Sequence, residues 1–206
     1  MRATAIVIVL GLLPQVALAQ IFNKYKPGSY ILADNRQARH SGQLLLAGDK
    51  LLVKNPDGKK MRYEPLDVYS FQIEGQKYTV ASGFSIGSGL QSDYRGRSFV
   101  ALLDSGQVLL MRYNYVLGAT RVNSNGTVDG PGPEQHVYLV RGAQSYSSPT
   151  VISSRGSAKD QAALKAVLSS YVAARPDLAK LLAEDKVFVG NLRAFIHALN
   201  TNQPFR

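Results

Sequence analysis

The chain has 206 residues, enough for one domain with a substantial core, and carries 24 Lys and Arg against 14 Asp and Glu, a formal net charge of +10. It contains no cysteine, which excludes disulfide staples, thiol catalysis and Cys-ligated metal centres and leaves burial alone to hold the fold. The basic surplus points to an anionic partner, yet there is no zinc-finger spacing, no aromatic RNP pattern and no basic run of five, so no nucleic acid is expected as partner.

The N-terminus reads as a secretory signal peptide over residues 1–19. Arg2 is the positive start, residues 5–13 are apolar but for Gly11, and the small-x-small tetrad at 16–19 precedes Gln20. The apolar run is shorter than the roughly 20 residues a spanning helix needs, and Pro14 interrupts it. Without a cysteine at the cleavage point, lipid anchoring is excluded too. A mature chain beginning near Gln20, exported and without a transmembrane segment, is the expectation.

Residues 20–153 predict a β-rich module. Short runs suited to strands fall at 28–33, 43–47, 51–54, 60–63, 68–73, 77–81, 99–103, 108–115 and 136–140, with a short ribbon reaching Ile152. Gly48-Asp49, the Asn55-to-Gly58 segment and Glu74-Gly75-Gln76 supply turn chemistry between them. Residues 82–98, rich in Gly and Ser, and 118–135, rich in Gly with two prolines, read as loops. There is no strand-helix-strand rhythm, so the fold class is α+β, mainly antiparallel: a β-meander forming a small barrel or sandwich.

Residues 154–206 predict a helical segment packed on that module. Ser157 is placed to cap a first helix with Asp160 in the capping-box position, and Leu164, Val167, Leu168, Tyr171 and Val172 lie on one helical face. Pro176 ends that helix and starts a second bearing Leu178, Leu181 and Leu182. Asn191 is placed to cap a third with Leu192, Phe195, Ile196 and Leu199.

Two stretches look catalytic. Asp104-Ser105-Gly106 matches the loop of an aspartic protease, where two carboxylates share a proton and activate water. It occurs once, Gln107 follows it, and no apolar-apolar-Gly support lies at the required distance, so a hairpin turn with Asp104 facing solvent and Gly106 in the left-handed conformation explains it better. Gly83-Phe84-Ser85-Ile86-Gly87 matches a nucleophile elbow, but that device needs a helix after the serine, and Gly87-Ser88-Gly89 is a poor helix start. His40, His136 and His197 fall in three segments without ligand spacing, and no metal or cofactor is indicated. Asn125-Gly126-Thr127 fits a glycosylation acceptor only in a eukaryotic secretory pathway. A candidate anion or glycan surface combines Lys59, Lys60, Arg62, Arg95 and Arg97 with nearby tyrosines from the set Tyr63, Tyr69, Tyr78, Tyr94, Tyr113, Tyr115 and Tyr138.

The order of features resembles a group of uncharacterised exported β-rich proteins of Bacteroidota with a C-terminal helical tail. The similar stretches are GSYIL at 28–32, SGQL at 41–44, YEPLDVYSF at 63–71, FVALLDSGQVLLMRY at 99–113, and the tail from Leu168 to Asn200. In that group the position of Gly106 recurs as a turn, while an acid at the position of Asp104 does not. This chain departs in its Gly-rich segments and in lacking a tail cysteine found in some relatives. The resemblance implies a location and an architecture and brings no activity.

The resulting expectation is an exported envelope protein, periplasmic, outer-membrane-associated or extracellular, with a non-enzymatic binding or structural role. Its expected partners are an envelope protein, an anionic polysaccharide or lipid head groups. The alternatives are a periplasmic hydrolase using Ser85 or Asp104, and a basic anion- or glycan-binding module.

Overall fold

A computed structural model describes residues 24–88, 91–116 and 134–205. The signal-peptide reading, the Asn125-Gly126-Thr127 triplet and nearly all of segment 118–135 lie outside the described residues.

Among the described residues, ten strands precede three helices. They are β1 (Lys26–Leu32), β2 (Arg39–Ala47), β3 (Lys50–Lys54), β4 (Lys60–Tyr63), β5 (Val68–Ile73), β6 (Gln76–Ser88), β7 (Gln91–Asp104), β8 (Val108–Val116), β9 (Glu134–Gly142) and β10 (Thr150–Ser153), then α1 (Ala158–Val172), α2 (Pro176–Ala183) and α3 (Leu192–Thr201). All strands join one antiparallel sheet in the order β10-β9-β8-β7-β6-β5-β1-β2-β3-β4. The mainly antiparallel α+β class and the C-terminal helices agree with the sequence pattern. The sheet does not close into a barrel.

It nevertheless curls strongly, and the chain's own length requires this. In a flat sheet β4 would lie four strand spacings from β5, about 19 Å. The connection holds only residues 64–67, folded as a turn in which Asp67 N donates to the Glu64 carbonyl (3.0 Å) and Glu64 N to the Asp67 carboxylate (2.8 Å). Strands β1 to β5 therefore roll up around Tyr30, Leu44, Leu51, Val53, Val68 and Phe71, all buried, with Phe99 of β7 completing the interior. Phe71 stacks on Tyr78 (4.6 Å between centroids) and meets Phe99 edge-on (5.0 Å). Between β5 and β6, Glu74 and Gly75 both take positive φ, 46° and 85°, the mirror-image turn whose twist suits a tight hairpin.

The reading of 82–98 as a loop is corrected by β6 and β7, which continue as paired arms from Tyr78↔Ala101 to Ser88↔Gln91. Phe84 and Ile86 are only 2% and 4% exposed and bury against Ala81, Val100, Met111, Tyr113, Val137 and Leu139. The arms thus lie across β8 and β9. Gly83, at φ +73°, marks the bend, and a Cβ there would sit 2.5 Å from the Ser148 hydroxyl.

Val108, Leu110, Val140 and Ile152 belong to a different cluster, shared with the helices. Ser157 accepts from Asp160 N while the Asp160 carboxylate accepts from Ser157 N, the reciprocal cap expected from sequence. Leu164, Leu168 and Val172 of α1, Leu178 and Leu182 of α2, and Leu192, Phe195, Ile196 and Leu199 of α3 are buried. Each helix is too short to stand alone, and each is held by this common core. Asn191 occupies the cap position of α3 without capping forward. Its side chain instead accepts from Phe188 N (2.8 Å) and donates to the Lys186 carbonyl (2.8 Å), fixing the approach loop.

Candidate functional site

Strands β7 and β8 are paired only from Ala101↔Arg112 to Asp104↔Leu110. Beyond Arg112 the two hairpins part, because the outer arms of β6 and β7 cross over β8 and β9. The parting opens a cleft of about 450 Å³ between β7, β8 and the β2–β3 turn. A polar recess of about 240 Å³ continues it, sharing Arg112, Asn114 and Glu134 with the cleft and adding Gln135 and His136.

Strand alternation places the side chains. Val108 and Leu110 point from β8 into the helical core, and the same face continues through Arg112 and Asn114. Opposite them on β9 stand Tyr138 and His136, and Val116 faces Glu134. Tyr138 and His136 pack edge to face at 5.3 Å. Hydrophobic residues thus give way to a charged and polar row where the helices stop covering the strand.

Among the described residues, two arginines line the cleft, and their surroundings differ. Arg95 pairs with Asp93, lies 3.9 Å from the Asp49 carboxylate, and stands over the Tyr113 ring at 5.7 Å. Asp49 also accepts from the Ser98 hydroxyl (3.3 Å), which anchors the β2–β3 turn over β7. Arg112 has no ion-pair partner among the described residues, and its buried Nε has no hydrogen-bond partner there. The Nε atoms of Arg95 and Arg141 are likewise unpartnered, but Arg95 already faces carboxylates and Arg141 lies outside the cleft. Burial raises the pKa of Tyr78, against the pull of Arg112 and Lys26, and burial also raises that of Tyr113. Both phenols are therefore protonated donors at neutral pH.

The basic residues singled out in the sequence fall into two groups. Lys59, Lys60 and Arg62 are exposed on the β3–β4 hairpin at one edge of the sheet, with Arg62 3.5 Å from Glu64. Arg95 and Arg97 are on β7, and only Arg95 lines the cleft. Sequence reasoning missed Arg112 and Asn114. The available signal was a charged residue continuing the inward register of two fully buried positions, Val108 and Leu110.

Among the described residues, Ser85 and Asp104 stand in settings that differ from those their motifs describe. Ser85 is exposed in the middle of β6, opposite Tyr94, and the chain returns as a strand rather than a helix, so no elbow forms. The expected solvent-facing Asp104 is corrected. It ends β7 with its side chain 11% exposed, 2.8 Å from His197 Nδ1, and accepts from Asn200 Nδ2 at 2.7 Å. The neighbouring α3 packs over the turn and takes the carboxylate as a tether. His40 stacks on Tyr30 at 5.1 Å, far in role from both other histidines. No group of three potential metal ligands converges among the described residues.

No protein-family model, curated protein or solved structure matches this chain.

Proposed function

We propose that the chain is an exported envelope protein with a non-enzymatic binding role, and that its ligand occupies the cleft between the two parted hairpins. The observation that carries this reading is Arg112. A guanidinium whose Nε is buried without a partner is costly to leave unmatched, and a ligand with a negative group would satisfy it. Asn114, His136, Glu134 and the protonated Tyr78 supply further hydrogen-bonding groups around it. The sheet roll forms one wall, the crossed hairpin arms another, and the helices brace the strands that present Arg112.

Two measurements test the reading. Expression of the full-length sequence in a Gram-negative host, followed by fractionation and N-terminal sequencing, is expected to recover envelope protein starting near Gln20; an unprocessed cytoplasmic product would refute export. Retention on immobilised envelope polysaccharide is expected for the native protein and to be lost for Arg112→Gln, whereas equal retention of both would refute the cleft as the site.

A further inference from the structure

Resting on the cleft as the binding site, we infer that its ligand is a saccharide bearing a single carboxylate per recognised unit, a uronate, rather than a phosphorylated or sulfated polymer. The charge count of the cleft carries the choice. Of the two arginines that line it among the described residues, Arg95 is already engaged by Asp93 and Asp49, whereas Arg112 has no partner there. Asp49 and Glu134 line the same space. A polyphosphate or sulfated chain would bring several negative charges against these two carboxylates with one arginine to offset them, an arrangement that repels such ligands. A carboxylate needs one guanidinium, and the planar fork of arginine matches it through two parallel hydrogen bonds.

The remaining lining suits a sugar. Hydroxyl groups both donate and accept, so they pair with the Asn114 amide, the Glu134 carboxylate, the His136 ring and the Tyr78 phenol. Tyr115, stacked on Tyr113 at 6.2 Å, adds an aromatic wall for the apolar face of a ring. The cleft runs on into the polar recess with Arg112 common to both, which gives room for sugar units on either side of the one carrying the carboxylate.

The test is calorimetric titration of the full-chain protein with short oligomers of pectate and alginate, their methyl esters and inorganic polyphosphate. The acidic oligomers are expected to bind about tenfold or more tightly than their esters, the loss typical of a charge-assisted hydrogen bond. Arg112→Gln should erase that preference, Arg112→Lys should keep part of it, and polyphosphate should not compete. Asn114→Ala, which leaves the arginine in place, should weaken acid and ester alike and guards against a misfolded Arg112 variant. Equal binding of acid and ester, or tighter binding of polyphosphate that Arg112→Gln abolishes, would overturn the uronate assignment and leave the cleft reading standing. Absence of binding by every probe, or binding insensitive to both substitutions, would overturn both.

Discussion

Asn200 shows how much one side chain can organise. Its amide accepts from Val108 N (3.0 Å), donates to the Val108 carbonyl (2.8 Å) and donates to Asp104, so it pairs with the start of β8 much as another strand would. Gln107 reinforces this by donating to the Leu199 carbonyl (3.2 Å). Gly106 lies directly beneath: a Cβ there would be 2.6 Å from the Asn200 side chain. The glycine is thus required by the close approach of α3, whereas the sequence suggested a left-handed turn. Gly106→Ala is expected to cost about 1–3 kcal/mol, as overpacking does. Asn200→Ala, which strands buried partners, is expected to cost about 2–3 kcal/mol. Urea denaturation checks both, and wild-type midpoints for the two variants would show that this contact contributes little. The turn itself was legible in Asp104-Ser105-Gly106, but its partner was not, because Asn200 lies 96 residues from Asp104 and nothing local encodes that meeting.

Among the elements, the helices were the most legible, because the apolar period marked all three, the Ser157–Asp160 box the start of α1 and Pro176 the start of α2, although Asn191 does not cap α3. Asp160 deserves its capping position on electrostatic grounds as well. Burial pushes its pKa up, but the Ser157 hydroxyl and the backbone donors of Ser153 and Ser157 outweigh this and hold it below the ordinary 3.8. The folded state therefore favours the ionised acid. Its contribution is complete above the ordinary carboxylate value and is lost as pH falls below it towards the lower folded value. Asp160→Asn is expected to lower stability at neutral pH by about 1 kcal/mol and to flatten this acid-side decline in thermal melts; an unchanged acid slope would assign the decline elsewhere. The outer arms of β6 and β7 were missed because Gly and Ser dominate their composition, although Phe84 and Ile86 already alternated with Ser85 and Gly87 at the strand period. Phe84 packs edge-on against Tyr113 at 5.3 Å. Phe84→Ala is expected to cost about 3–5 kcal/mol, and a loss below 1 kcal/mol in denaturant titrations, small for a buried Phe, would mean that the arms are held by pairing alone.

At the scale of the whole molecule, the sequence conveyed the mainly antiparallel class and the change to helix near residue 154, but not the curl or the cleft. Both depend on strand order, and strand order depends on which distant segments meet. The basic residues visible in the sequence were read as one surface, yet Lys60 pairs with Lys54 at the end of β3 opposite the β2–β3 turn, whose Asp49 meets Arg95. Lys59→Gln with Lys60→Gln is accordingly expected to leave acidic-oligomer affinity within about twofold at physiological salt, where exposed charges are screened beyond about 8 Å; a tenfold loss by calorimetry would relocate the site to the sheet edge. The helical cover also carries a temporal consequence. Asn200 closes on Val108 across 92 residues, which a ribosome working at about 5–20 residues per second takes about 5–20 seconds to add. Throughout that interval the helices that bury Val108 and Leu110 have not been made, so the apolar side of β8 stays uncovered until the last residues are added.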